Sequence, residues 1–193
     1  MNNVYKDLFY DVVKSHIKRE GINELMESLE KSDFFTAPAS TKYHDAEEGG
    51  LCKHSLEVFG ALCIEAEDKY STETLAIVSL FHDVCKVGYY KIDYKNQKTY
   101  KENGSKRDEK GRFDWETVPF YTVEDKFPYG HGEKSVLLLM DKLKLSTEEM
   151  MAIRWHMGAY EGQQAWNTLS TAYEKYPLAL YLHIADMKST YLK

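Results

Sequence analysis

Apolar side chains recur at helical spacing along most of this chain. In the first segment, Val4 to Lys18, they fall at Val4, Tyr5, Leu8, Phe9, Val12, Val13 and Ile17, and the stripe ends before Gly21. Ile22 to Leu29 predicts a second, short helix. Phe34 to Gly50 carries Pro38, Asp45 and the Gly49-Gly50 pair, so it reads as a loop. Leu51 to Tyr70 predicts a long amphipathic helix. Ser71 or Thr72 caps the next, which is expected to run to about Lys86 and to end at Gly88. Further helices are expected over His131 to Leu143, from Ser146 to about Met157, over Gln163 to Tyr173, and over Pro177 to Tyr191. Ser146 with Glu149 fits a capping box, and Pro177 suits a first helical turn.

The period changes between Tyr89 and Tyr129. Tyr89 to Tyr94 alternates weakly and is aromatic, Lys101 to Arg112 is polar with two glycines, and Phe113 to Val123 is aromatic and β-branched, with Pro119 hinting at an edge. This predicts a β-hairpin insertion over about residues 89–129 with a mobile tip. The fold class expected is mainly α: a helical bundle forming one domain over 1–193, with helices in 1–33 packing on it. Tyr89, Tyr90, Trp115 and Tyr121 are expected to pack the insertion onto the helices, stacking on a nucleobase being the other reading. Trp155 is expected in the core.

The composition is that of a globular chain: 193 residues, 43% hydrophobic and 29% charged. A net charge of −6 argues against a protein whose affinity comes mainly from neutralising a nucleic-acid backbone. The densest basic stretch, Lys91 to Arg112, is diluted by Asp93, Glu102, Asp108 and Glu109. No apolar run approaches the length of a membrane span. Three cysteines without a Cys-x-x-Cys pair argue against both a disulfide framework and a thiolate zinc site, and a reducing cytoplasmic setting is expected.

The chemistry lies in where histidine and aspartate fall. His54, His82, His131, His156 and His183 sit in or at the ends of predicted helices. Asp83 in SLFHDVCK and Asp186 in LYLHIADMK lie in apolar surroundings. An ionised carboxylate among apolar neighbours is costly unless it is paired or bound to a cation. Imidazole and carboxylate without thiolate suit a divalent metal ion (Mn, Mg, Fe, Ni or Zn) with water positions left open, which is the make-up of a hydrolytic site.

These residues resemble the HD superfamily of metal-dependent phosphohydrolases, whose pattern is His…His-Asp…Asp. It is carried here by His54 in GGLCKHSLEV, His82-Asp83 in SLFHDVCKVG and Asp186 in LHIADMKS, over about residues 38–190. The resemblance implies an HD-domain helical fold and a first metal held by His54, His82, Asp83 and Asp186. His131 in YGHGEKS and His156 in RWHMG, with Lys86 completing His-Asp-x-x-Lys, resemble the branches that bind a second metal, such as the HD-GYP phosphodiesterases. That implies one or two ions per chain, with Asp83 bridging. The GYP signature is absent, since GAYEG follows His156, so cyclic-dinucleotide specificity is not implied. PASTKYHDAEEGGLCKHS also resembles the start of the HD domain in bacterial 3′-to-5′ exoribonucleases and some plasmid relaxases; His44 matches the second residue of their His-His pair and Tyr43 replaces the first.

The resemblance implies a phosphohydrolase acting through metal-activated water, with Asp83 and Lys86 as catalytic residues. The expected partner is a nucleotide or other small phosphoester. Lys42, His44, Lys134, Arg154 and His183 are candidate substrate contacts. Nucleic acid is possible but not favoured. The alternatives are a 3′-to-5′ nuclease on single strands, which needs Lys42, Lys53, Lys86, Lys91 and Arg154 in one channel, and a catalytically weak nucleotide-sensing module.

Overall fold

The computed structural model describes residues 4–192. Eight α-helices and a three-stranded antiparallel sheet follow in the order α1 (Val4–His16), α2 (Ile22–Glu30), α3 (Gly50–Ala66), α4 (Thr72–Phe81), β1 (Tyr90–Tyr100), β2 (Lys106–Asp108), β3 (Gly111–Val123), α5 (His131–Met140), α6 (Thr147–Trp155), α7 (Trp166–Lys175) and α8 (Pro177–Tyr191). The chain is mainly helical, as the periodicity predicts. No helix among the described residues is long and apolar enough to cross a membrane.

The core is built around α4. Seven consecutive residues, Leu75 to Phe81, are buried, because a helix that is apolar all round must be covered on every side. Helices α3, α6 and α1 pack against it, and α8 packs on α3 and α6. Phe9 of α1 meets Phe34 and Phe81 edge-on, at centroid distances of 5.3 and 5.8 Å. The side chains of α1 and α2 thereby join the same apolar cluster as α3, α4 and α8.

Local signals set several boundaries. Ser71 caps α4 by accepting from the Thr74 amide. Ser146 and Glu149 form the expected capping box at α6. Glu149 is fully buried, and its carboxylate also accepts from Arg19 at 2.5 Å and from Thr74 Oγ1 at 3.1 Å. Gly132 permits the close approach of α5 to α6, since a Cβ there would lie 2.2 Å from the Arg154 carbonyl oxygen.

Two expectations need correction. The helix expected to reach Lys86 stops at Phe81, and a 3-10 turn covers Val84–Lys86. The reason is local: Asp83 leaves helical geometry at φ −103°, ψ 17°. The insertion is a three-stranded sheet of order β1-β3-β2, with β2 formed inside the polar stretch expected to be a mobile tip. Pro119 is accommodated because β2 pairs only with Gly111 to Phe113, leaving the far edge of β3 open beyond them. Nor does the sheet lie on the helices. Residues 91–97 of β1 are all exposed, and Trp115 is 50% exposed. Only the root of the sheet engages the body, where Tyr90 Oη donates to the Ala39 carbonyl at 3.1 Å. Trp155 is buried as expected.

Glu149→Ala is expected to lower stability by about 2–3 kcal/mol, since it removes the cap and leaves Arg19 without its inner partner. A urea titration would show this as a lower midpoint at unchanged slope; a loss below about 0.5 kcal/mol would contradict it.

Candidate metal centre

The centre is assembled from helix ends. His82 is the first residue beyond α4, and its Nδ1–H donates to the Ser79 carbonyl at 2.7 Å. His156 occupies the same place beyond α6, with Nδ1–H donating to the Ile153 carbonyl at 2.6 Å. In each ring that bond selects the tautomer and leaves Nε2 as a lone pair aimed inward. Both Nε2 atoms are buried with no hydrogen-bond partner among the described residues. Leaving such a group unsatisfied costs about 1–3 kcal/mol. His54 comes from the first turns of α3, Asp186 from the middle of α8, and His131 is the first residue of α5.

All six sequence-predicted ligands converge on two carboxylates. Asp83 Oδ1 lies 2.6 Å from His131 Nε2 and 3.5 Å from His156 Nε2. Asp83 Oδ2 lies 2.6 Å from Lys86 Nζ, 3.5 Å from His82 Nε2 and 4.0 Å from His54 Nε2. His54 Nε2 is also 3.1 Å from Asp186 Oδ1. His54, His82 and Asp186 form one group whose atoms could hold a metal ion, and His82, Asp83 and His156 form another. The nitrogen and oxygen donors, their spacing and the unpartnered Nε2 atoms fit a divalent cation with metal–ligand bonds of about 2.0–2.2 Å. A third group, Asp83, Cys85 and His131, adds a thiol that the sequence reading left out.

Burial and charge compete at every member. Burial pushes the Asp83 carboxyl up, but the Lys86 ammonium, His82 and His131 outweigh it and hold the group well below the usual carboxylate range. Burial likewise opposes ionisation of Asp186, and the bond to His54 overrides it, again downward. Burial would lower the Lys86 pKa, yet Asp83 raises it. His82 is pushed down to about 3, chiefly by burial. Burial also acts to lower the His156 pKa, but Asp83 reverses the direction.

A cavity of about 560 Å³ opens onto Asp83, Lys86, His54, His131 and Asp186. His44 is the one candidate substrate contact, besides Lys86, that lines it. Its ring centroid is 4.7 Å from that of His54, and burial, first among the causes, lowers its pKa to about 4. The other candidates lie elsewhere. Lys42 is exposed, although its neighbours Thr41 and Tyr43 line the cavity. Lys134 bonds Asp125 at 3.0 Å in an adjoining smaller cavity with His131. Arg154 is taken up by Glu133 and Glu161, at 2.5 and 2.6 Å. His183 does not line the cavity; its Nδ1–H donates to the His156 carbonyl at 2.7 Å. Tyr160 and Tyr191, whose hydroxyls meet at 2.9 Å, also line the cavity. No motif marked them, because exposed tyrosines at those positions carry no periodic signal.

Two outcomes follow for chelator-treated protein. Adding a divalent cation should raise the melting temperature in wild type and leave His82→Ala unchanged, because an ion that binds only the folded state stabilises it. An equal rise in both proteins would contradict the ligand set. Stability should also fall with acid. The unfolded chain protonates His82 near its usual 6.5 while the folded chain does so only at about 3, so this stabilisation is complete above 6.5 and lost as pH falls through that window. Asp83 and Asp186 act in the same direction at lower pH, outweighing His156, whose raised pKa acts in the opposite sense. Urea midpoints between pH 7 and about 4 would measure it, and a flat profile would refute it. No family model, no curated protein and no solved structure matches this chain.

Proposed function

We propose that the chain is a divalent-metal-dependent phosphohydrolase of the HD type, acting on a nucleotide or other small phosphoester. The observation that carries this reading is that His54, His82, Asp83, His131, His156 and Asp186, drawn from five helices and their ends, gather about the Asp83 and Asp186 carboxylates, with His54, Asp83, His131 and Asp186 lining one cavity. A divalent cation held there would lower the pKa of water and offset phosphate charge.

The chain's own residues supply the rest. Asp83 directs its two oxygens to two different sets of partners: His131 and His156 on one side, His82, His54 and Lys86 on the other. That division supports a bridging role between two ions. Lys86 Nζ is held by Asp83 at 2.6 Å and by the Ala39 carbonyl at 2.7 Å, with its side chain on the cavity wall. It thus stands ready as a cation for a phosphate oxygen. His44 is neutral at pH 7 and offers ring nitrogens that have no hydrogen-bond partner among the described residues. The cavity suits one nucleotide-sized molecule. A basic channel beside the ligands is not supported, since of Lys42, Lys53, Lys86, Lys91 and Arg154 only Lys86 lines the cavity.

Asp83→Asn keeps the side-chain volume but removes the charge. It is expected to reduce manganese-dependent hydrolysis of a nucleoside monophosphate by about 100-fold or more, with the far-UV circular dichroism unchanged. Wild-type turnover in that variant would sink the mechanism.

A further inference from the structure

Cys85 comes to the centre because the chain leaves helical geometry just before it. In an unbroken α4, residues 83 and 85 would point to nearly opposite sides, since positions two apart do not share a helix face. Asp83 breaks that geometry, and the 3-10 turn over Val84–Lys86 packs against α5. There the Cys85 amide donates to Ser135 Oγ at 3.2 Å. Ser135 lies one turn beyond His131 on α5, so the two share a face of that helix. The thiol is thereby placed beside both neighbours: one donor atom from each of Asp83, Cys85 and His131 lies within 4.8 Å of the other two.

A second observation points to the same place. His156 Nε2 is buried, has no hydrogen-bond partner among the described residues, and lies 3.5 Å from Asp83 Oδ1. His131 Nε2 meets that same oxygen. Two imidazole nitrogens thus converge on one carboxylate oxygen, with a thiol close by. Cys85 also borders a smaller cavity of about 230 Å³, shared with His131, Gly130, Asp125 and Lys134.

The donors on the other side of Asp83 are unlike these. His54, His82 and Asp186 form a group of nitrogen and oxygen alone. Sulfur is the softer donor, and it favours zinc over manganese or magnesium. The lack of a Cys-x-x-Cys pair argues only against a site built mainly of thiolates. One cysteine among histidine and carboxylate falls outside that argument.

We propose that Cys85 Sγ is a ligand of the ion held by Asp83, His131 and His156, which makes this position a mixed sulfur, nitrogen and oxygen site for zinc or a similarly thiophilic divalent ion. The proposal rests on the reading of the cluster as a metal centre and assigns the ion class of one of its two positions. Burial and the nearby Asp83 carboxylate keep the thiol protonated until a cation arrives. On binding, the S–H bond breaks, its electron pair forms the sulfur–metal bond, and the proton passes to water; nothing is oxidised or reduced.

The test is a titration of the chelator-treated full chain with cobalt(II) in oxygen-free buffer, read by absorbance. A thiolate ligand adds an intense near-ultraviolet charge-transfer band that nitrogen and oxygen ligands do not. Wild type is expected to show the band, and Cys85→Ser and Cys85→Ala to lose it, with circular dichroism verifying the fold of each. A variant that keeps Cys85 as its only thiol, Cys52→Ser with Cys63→Ser, should retain the band. Competition with a chromophoric chelator should show zinc affinity about 10-fold or more weaker in Cys85→Ser, and manganese affinity changed by less than about 3-fold. An equal loss for both ions would show that Cys85 only supports the structure, and would overturn the proposal. A band that persists in both Cys85 variants does so too. Cobalt bound by wild type, seen in its visible absorption, without the charge-transfer band overturns this proposal and leaves the phosphohydrolase reading standing. Failure of wild type to bind any of cobalt, zinc and manganese removes the metal centre and the proposal together.

Discussion

The rest of the structure depends on the ionised Asp83 carboxylate held in the interior. A side chain with 3% exposure cannot carry a charge there without compensation. Lys86 supplies a full countercharge at 2.6 Å, and His131 meets the other oxygen at the same distance. Lys86 is in turn fixed by the Ala39 carbonyl, which also receives Tyr90. One buried charge therefore ties together the end of α4, the loop before α3, the root of the sheet and the start of α5.

The same local device delivers two of the candidate ligands. His82 and His156 each follow the last residue of a helix and donate from Nδ1 to the carbonyl three residues back. Each thus caps its own helix and turns Nε2 toward Asp83. His183 supports the second of them by bonding the His156 carbonyl, and Gly158 leaves room for its ring, since a Cβ there would lie 2.4 Å from it. The centre is stiff because its ligands belong to helix ends locked into the core, a requirement for any site that must hold ligand atoms within a few tenths of an ångström.

The arm follows a different rule. Its strands satisfy one another's backbone groups, so it keeps its shape without resting on the helices. That leaves its side chains free to be selected for something other than the core. Ile92, Tyr94 and Trp115 accordingly stay largely outside the core.

The sequence alone determined most of the helices, several of their caps and the residues that gather at the candidate metal centre. Periodicity reports burial, Ser146 with Glu149 and Pro177 mark helix starts by local chemistry, and His or Asp in apolar segments stands out because burial of such groups needs a partner. The tertiary structure decided which charges were available. Arg154 and Lys134 are as basic in the sequence as Lys86, but Glu133, Glu161 and Asp125 meet them, whereas Lys86 meets Asp83 at the cavity. It also decided that His183 serves a backbone carbonyl and that Trp115 is left half exposed on the arm rather than packed on the helices. Such outcomes depend on residues distant in the chain arriving at one place, and a local pattern of apolar and polar positions holds no record of which distant neighbours those will be.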